Sequence, residues 1–212
     1  MEKNKSLTYF IWFIVILIIF VGAWTLFPHF NQENNGSPYT VYNGYVIYKL
    51  EDEKSLRYLV EAYANEGVKY SHYFKFYPSD LLNLNYEEGL RNKVLYEDVT
   101  NNIKKNKIYF SYNPSMDGAE ILSAGTLVQI LGNSDAGIYK IPIVVSVSQE
   151  TSNSDFPIKT CNDATDSIGV ILMRYGDPKI YSEGNCVILQ GNSTEEFKRI
   201  NDLLSYILVG VI

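Results

Sequence analysis

The feature that most constrains this chain is the stretch of residues 7–27, which is long, apolar and free of charged side chains. It consists almost wholly of Ile, Phe, Val, Leu and Trp. A helix of this length matches the roughly 30 Å hydrocarbon core of a bilayer. Because a helix satisfies its own backbone hydrogen bonds, it can cross lipid without help from other segments. The stretch therefore predicts a single transmembrane helix over residues 7–27.

The residues on either side of this stretch predict its orientation. Residues 1–6 contain Lys3 and Lys5 against Glu2, whereas residues 28–33 contain neither Lys nor Arg. Positive flanks stay in the cytoplasm, so we expect a cytoplasmic N-terminus and a C-terminal domain outside. A cleaved signal peptide is the alternative, because residues 21–23 are small enough for a cleavage site. The apolar run continues to Phe27, which favours an uncleaved signal anchor.

The rest of the chain divides into a linker and one domain. Residues 28–38 follow the apolar stretch and become polar and turn-rich, as in a short linker. Residues 39–212 are enough for one well-buried core and few for two. We therefore predict a cytoplasmic flank over 1–6, a transmembrane helix over 7–27, a linker over 28–38 and an extracytoplasmic domain over 39–212.

The charge balance excludes one class of partner. The chain has 18 Lys and Arg against 24 Asp and Glu, a net charge of −6. A nucleic-acid-binding domain needs a basic face, so we expect no nucleic acid as partner. Tyrosine is abundant, with 18 residues, which is typical of β-rich extracellular domains and also of sugar-binding surfaces.

The two cysteines of the chain, Cys161 and Cys186, both lie in the predicted outer domain. In an oxidising compartment an isolated pair most simply forms a disulfide. A redox or metal-binding pair is the alternative, but the spacing is not C-x-x-C and neither His29 nor His72 is near in sequence. The pair therefore predicts a structural disulfide between Cys161 and Cys186.

Local patterns predict an α+β fold with a mixed sheet. Asn43-Gly44 marks a hairpin, and residues 56–76 favour a second hairpin turning at residues 65–67, although 56–66 also fit a helix. A helix is predicted over about 85–99, with Asn85 as cap and Val99 in its apolar stripe. Strand 107–112, a helix from about Asp117 to a stop at Gly132, and strand 139–147 together predict a βαβ unit.

The C-terminal third predicts further strands and a terminal helix. Strands are expected over 168–175, 179–181 and 186–189. Ser193 and Glu196 form an S-x-x-E capping box ahead of an amphipathic helix that ends near Gly210. The apolar tail over residues 207–212 is too short to span a bilayer. We expect it to be buried in the domain or against a partner.

Motifs for catalysis and cofactor binding are not found, so we predict no catalytic, cofactor-binding or metal-binding residue. His72 is interpreted as a packing or surface residue. Asp163 and Asp166 offer oxygens of the kind Ca²⁺ prefers, but a loop that bonds its own backbone explains them more simply. Lys105 and its neighbours are interpreted as a solvated turn. Asn192 begins an N-S-T sequon and is a possible glycosylation site.

Several short motifs resemble a group of uncharacterised archaeal single-pass membrane-anchored extracytoplasmic proteins. The motifs are residues 76–78 (FYP), 107–114 (KIYFSYNP), Cys161, 185–188 (NCVI) and the Gly-hydrophobic tail. The resemblance implies the same topology and a paired-cysteine C-terminal region. It implies no activity and no catalytic residue.

We therefore expect a membrane-tethered domain that binds or scaffolds a protein or glycan of the cell envelope, with membrane lipid around residues 7–27. One alternative is an extracytoplasmic hydrolase or sugar-acting enzyme using Asp and Glu residues. Another is a subunit of a surface filament. Two facing carboxylates in a pocket would favour the enzyme, and a tyrosine-rich surface would favour binding.

Overall fold

The computed structural model describes residues 39–53, 55–63, 67–151 and 155–212. The predicted flank over 1–6, transmembrane helix over 7–27 and linker over 28–38 lie outside these ranges. Within them, no helix has the length and apolar character needed to cross a membrane. The chain from Pro38–Ile212 forms one compact unit with a mixed α+β fold.

Asn43-Gly44 forms the first hairpin, as the sequence predicts. Asn43 has φ 47° and Gly44 has φ 84°, the left-handed pair that matches the twist of two antiparallel strands. Four strands then form an antiparallel sheet in the order β1-β2-β3-β4, which we call the meander. Their bounds are β1 Tyr39–Tyr42, β2 Tyr45–Glu51, β3 Leu56–Tyr63 and β4 Lys69–Phe74. Residues 56–63 are therefore a strand, which confirms the hairpin interpretation over the helical one.

The second sheet has six strands and mixed direction, in the order β5-β11-β12-β10-β8-β9. A separate two-stranded hairpin pairs β6 with β7. The bounds are β5 Asn85–Tyr86, β6 Tyr96–Asp98, β7 Ile103–Lys104, β8 Lys107–Tyr112, β9 Ile143–Val147, β10 Ile168–Tyr175, β11 Lys179–Glu183 and β12 Cys186–Gly191. Strands β8 and β9 are parallel, which confirms the predicted βαβ unit.

Within the described residues, four α-helices accompany the sheets: α1 Leu90–Leu95, α2 Gly118–Leu122, α3 Gly125–Leu131 and α4 Thr194–Val209. Ser193 caps α4 by accepting a hydrogen bond from the Glu196 backbone N–H at 3.3 Å. The Glu196 side chain bonds the Asn192 N–H instead of the Ser193 N–H, so the predicted capping box is only half formed. Gly210 ends the helix with φ 83°, a conformation that glycine adopts without steric cost.

Helix α4 lies between the meander and the six-stranded sheet and is buried on both sides. The Tyr206 ring stacks on Phe74 of β4 at 3.9 Å between centroids, and the Tyr206 hydroxyl donates to the Phe76 carbonyl at 2.9 Å. The apolar tail after Tyr206 is also buried: Leu208 and Val211 have no exposed surface. The prediction that the tail packs into the domain is confirmed.

The disulfide between Cys161 and Cys186 is present, with 5.1 Å between the two Cα atoms. That separation lies within the range that disulfides require. Cys186 opens β12 and is fully buried in a small cluster on the far side of the six-stranded sheet from α4, with Val170, Leu172 and Ile188. The bond therefore fastens the loop around Cys161 over that side of the sheet.

The predicted helix over 85–99 is wrong in extent. Asn85 belongs to β5, and the helix begins only after Gly89, whose φ is 77°. It ends at Leu95 because the following residues pair with β7. Val99 lies in the turn between these strands and is 54% exposed. Strand pairing on both sides, with the distant β11 before the helix and in the local β6–β7 hairpin after it, thus overrides the helical pattern.

Three other expectations in the middle of the chain need correction. The helix from Asp117 to Gly132 is interrupted at Ser123 and becomes α2 and α3, while Asp117 and Gly132 do cap its two ends. The strand expected over 139–147 begins only at residue 143. Lys105 is buried, because its ammonium donates to the backbone carbonyls of Thr165 and Asp166.

Candidate functional site

A concave pocket lies at the C-terminal end of α4, and we call it the tyrosine pocket. It encloses about 320 Å³. Its wall includes five tyrosines and three cationic side chains but no Asp or Glu. The residues are Tyr45, Ala62, Tyr63, Tyr70, Arg91, Tyr96, Asn102, Lys104, Ile138, Tyr139, Lys140 and Val209. Aromatic faces and cations without carboxylates are suited to an anionic ligand with a flat or ring-shaped body.

Two of these tyrosines are held in place by the end of α4. The Tyr45 hydroxyl donates to the Val209 carbonyl at 2.9 Å, and the Tyr139 hydroxyl donates to the Leu208 carbonyl. These carbonyls belong to the last turn of the helix, which has no intrahelical donors for them. Burial raises the pKa of Tyr139, so its hydroxyl remains a donor. Capping of the helix thus fixes one wall of the pocket.

The cations of the pocket bond neutral groups and not carboxylates. Lys104 Nζ donates to the Tyr139 carbonyl at 3.2 Å, and Lys140 Nζ donates to the Ser134 carbonyl at 2.5 Å. Lys140 also lies over the Tyr70 ring, 5.6 Å from its centroid. In the described part of the chain, neither lysine nor Arg91 forms an ion pair. Their positive charge is therefore uncompensated within a domain whose overall charge is acidic.

A second concave site lies beside the middle of α4, and we call it the acidic groove. It encloses about 770 Å³ between the meander, the junction of α2 and α3, and α4. Its lining residues are Ser55, Leu56, Arg57, Tyr58, Tyr73, Phe74, Lys75, Phe76, Asp80, Ser123, Thr126, Lys198 and Asp202. The groove therefore contains two carboxyl groups, Asp80 and Asp202.

Asp202 is the most unusual group in the groove. It is 6% exposed, and its Oδ2 accepts hydrogen bonds from the backbone N–H groups of Lys75 at 2.7 Å and Phe76 at 3.0 Å. Burial raises the pKa of Asp202 to about 7, against the two backbone hydrogen bonds and the charge of Lys75, which lower it. A buried carboxyl that titrates near neutrality in a groove is a common feature of functional sites.

Several buried side-chain atoms of β4 and α4 lack hydrogen-bond partners. Within the described residues these are both ring nitrogens of His72, Oδ1 of Asn201 and Oγ of Ser205. Burial lowers the pKa of His72, against a smaller opposing effect of Gln129, although the ring nitrogens make no hydrogen bond of normal geometry. His72 is 1% exposed and faces the interior, as the packing interpretation requires.

The side chains of Asp163 and Asp166 both accept hydrogen bonds from neighbouring groups of the protein. Asp163 accepts from the Thr160 backbone N–H at 2.8 Å and from Lys159 Nζ at 2.9 Å. Asp166 accepts from Asn185 Nδ2 at 2.9 Å. The described residues contain no group of three or more His, Cys, Asp or Glu side chains that could hold a metal ion. Both acidic side chains of the loop thus accept hydrogen bonds within the protein.

The remaining residues singled out by the sequence lie apart from both sites. Asn192 is exposed in the turn before α4. Cys161 and Cys186 lie on the far side of the six-stranded sheet. Ser123, at the break between α2 and α3, lines the acidic groove.

Comparison with known proteins finds no matching family model, no matching curated protein and no matching solved structure. The structure itself gives the class: a disulfide-bonded α+β domain with two sheets around a buried C-terminal helix. The sequence did not indicate either site. Each of them draws its side chains from several elements that are far apart in the chain.

Proposed function

We propose that the protein is a membrane-tethered extracytoplasmic binding domain, and that its tyrosine pocket binds an anionic saccharide of the cell envelope. The observation that carries the proposal is the composition of the pocket wall: five tyrosines and three cations with no carboxylate. The proposed location rests on the apolar stretch over residues 7–27 and on the disulfide, which is typical of an oxidising compartment. Membrane lipid and an envelope component are the partners.

The division of roles in the pocket follows from the contacts. The hydroxyls of Tyr45 and Tyr139 already donate to carbonyls of α4. These two tyrosines therefore form the wall of the pocket and do not bond the ligand through their hydroxyls. Tyr63 is 65% exposed and offers its ring face to a sugar. Lys104 and Lys140 reach carboxylate, sulfate or phosphate groups on that sugar. Hydrogen bonds between charged groups are about twice as strong as those between neutral ones.

The test is calorimetric titration of the full chain, purified in mild detergent, with tetragalacturonate and with neutral maltotetraose. We expect binding of the acidic oligosaccharide, weakening with added salt, and little binding of the neutral one. Combining Lys104→Ala with Lys140→Ala should weaken binding about tenfold or more, which corresponds to about 1.4 kcal/mol. Lys49→Ala is the matched control, because Lys49 pairs with Glu51 outside the pocket.

Two results would contradict the proposal. One is equal binding of the acidic and neutral oligosaccharides. The other is an equal loss of binding in the Lys49→Ala control and in the double variant. Tyr63→Ala separates the aromatic contribution from the charge, because it should weaken binding without changing its salt dependence.

A hydrolase is a second candidate function, favoured by Asp80 and Asp202 in one groove. General acid–base hydrolysis uses such a pair. Release of reducing ends from envelope polysaccharide by the wild type, abolished in both Asp80→Asn and Asp202→Asn, would establish this function. If the wild type releases no reducing ends, the hydrolase function is excluded and the binding function remains.

A further inference from the structure

We propose that the acidic groove is a second binding site, which takes a ligand with a cationic amine on an apolar body. This site is separate from the tyrosine pocket and does not depend on the proposed saccharide. The walls of the groove, its charge balance and the environment of Asp202 support this second site.

The walls of the groove are largely aromatic and aliphatic. Leu56 and Tyr73 are 38% and 49% exposed, while Phe74 is buried and stacks on Tyr206. The guanidinium of Arg57 already lies over the Tyr73 ring, 5.6 Å from its centroid. A cation is therefore compatible with this aromatic surface, and the apolar body of a ligand can cover Leu56.

The charges that face the groove do not balance. Lys75 and Lys198 both pair with Glu195, at 2.8 Å and 3.5 Å, and Arg57 pairs with Asp52 at 3.3 Å. Helices α2 and α3 contribute only the neutral Ser123 and Thr126. Asp80 and Asp202 form no ion pair within the described part of the chain. Lys75 and Lys198 thus share one carboxylate, and with Glu195 and Asp52 included four carboxyl groups lie here against three cations. The charge of Lys75 also acts on Asp202, whose pKa it lowers.

Asp202 presents one of its oxygens for a further bond. Oδ2 is used by the backbone N–H groups of Lys75 and Phe76, and Oδ1 accepts no hydrogen bond from the described residues. An ammonium group at Oδ1 would compensate the buried charge of the ionised form. Binding of an amine and ionisation of Asp202 should therefore favour each other.

The experiment uses 2-phenylethylammonium as the probe and uncharged 2-phenylethanol as its matched compound. Amide resonances of the full chain in mild detergent are followed by NMR, because Lys75 and Phe76 N–H groups contact Asp202 directly. We expect the amine to shift these two resonances. Its affinity should fall about tenfold from pH 8 to pH 6, because the ionised fraction of a carboxyl with a pKa of about 7 falls by that factor.

Variants assign the effect to Asp202. Asp202→Asn keeps an oxygen acceptor for the two N–H groups and removes the charge, so the amine should bind at least tenfold more weakly. Glu88→Gln, an exposed change of the same kind, should have no effect. If Asp202→Asn does not fold, the pH dependence of amine affinity in the wild type tests the role of Asp202 instead.

Three results would overturn the proposal. Equal affinity for the amine and the alcohol would exclude recognition of charge. Unchanged amine binding in folded Asp202→Asn, or an affinity that does not depend on pH between 6 and 8, would exclude Asp202. Shifts confined to amides of the tyrosine pocket would place the amine elsewhere.

Discussion

The tyrosine pocket and the acidic groove both lie against α4, yet they have opposite chemistry. The pocket at the helix end has three cations and no carboxylate. The groove beside the middle of the helix has two carboxyl groups, and its three cations pair with Glu195 and Asp52. A helix C-terminus bears partial negative charge, so cations such as Arg91 are favourable there. One buried helix therefore supports two sites whose ligands should differ in charge.

The two sites also differ in how they contribute to stability. In the pocket, the hydroxyls of Tyr45 and Tyr139 satisfy helix carbonyls that would otherwise be unpaired. In the groove, Asp202 satisfies two backbone N–H groups but is itself poorly solvated. We therefore expect substitutions in the pocket to lower stability at every pH. Substitution of Asp202 should change stability only over a limited pH range.

Removal of the chain after Tyr206 should have the largest effect. Leu208, Val209 and Val211 are buried, and burial of each such side chain contributes roughly 1.5–3 kcal/mol. The truncation also removes both carbonyls that hold the tyrosines of the pocket. We expect insoluble protein, or a loss of more than about 5 kcal/mol in denaturant unfolding.

All residues that line the acidic groove precede this truncation point in the sequence, and Asp202 is the last of them. If the truncated chain folds, it should therefore keep the amine site and lose the saccharide site. A truncated chain that melts with the wild type would instead identify the tail as a free docking element.

Asp202→Asn should change the pH dependence of stability by the next largest amount. Burial holds the pKa of Asp202 at about 7 in the folded state, above its ordinary value of 3.8. The folded state therefore binds an extra proton between these values. The contribution of Asp202 to stability is greatest below about pH 4, falls as the pH rises to about 7, and is constant above, with a total loss of about 4 kcal/mol at most.

Denaturant unfolding between pH 4 and pH 8 measures this effect. The Asp202→Asn variant should lack this component of the decline, whereas Asp135→Asn, an exposed change, should retain it. An identical change in stability between pH 4 and pH 8 in the wild type and in both variants would contradict the assignment.

Replacement of Cys161 and Cys186 by Ser should cost about 3 kcal/mol, because the disulfide restricts the unfolded chain. The bond lies on the far side of the six-stranded sheet from α4. Neither site should therefore lose its ligand while the protein remains folded. Urea unfolding measures the cost, and ligand titration of the folded variant tests whether the sites are independent of the bond.

The sequence predicted the elements that depend on neighbouring residues. Asn43-Gly44 specified a hairpin through its backbone preference, and the alternation of Ile108 and Phe110 specified a strand. The disulfide followed from having only two cysteines. These features need no knowledge of which distant segments meet.

The two sites depend on distant segments and were therefore missed. Asp202 resembles any polar residue on a surface helix, and only its contacts with the N–H groups of Lys75 and Phe76 show that it is buried. The burial of Lys105 was missed for the same reason, because its partners are backbone carbonyls of a loop 60 residues further along the chain. Hydrogen bonds with backbone groups offset the cost of burying these charged side chains. The residue types in the sequence do not show where such backbone partners lie.

Tyr139→Phe should have the smallest effect, about 1–2 kcal/mol of unfolding free energy, because it leaves the Leu208 carbonyl without its hydroxyl donor. The ring still fills the same space, so the loss should be independent of pH between 5 and 8, unlike the effect of Asp202. Tyr63→Phe is the matched control, because Tyr63 is exposed at the rim of the pocket; it should leave stability unchanged. Denaturant unfolding of the two variants at pH 5 and pH 8 makes the comparison. A Tyr139→Phe loss that appeared only at one of these pH values would mean that the helix end and the acidic groove are coupled, and that the two sites are not independent.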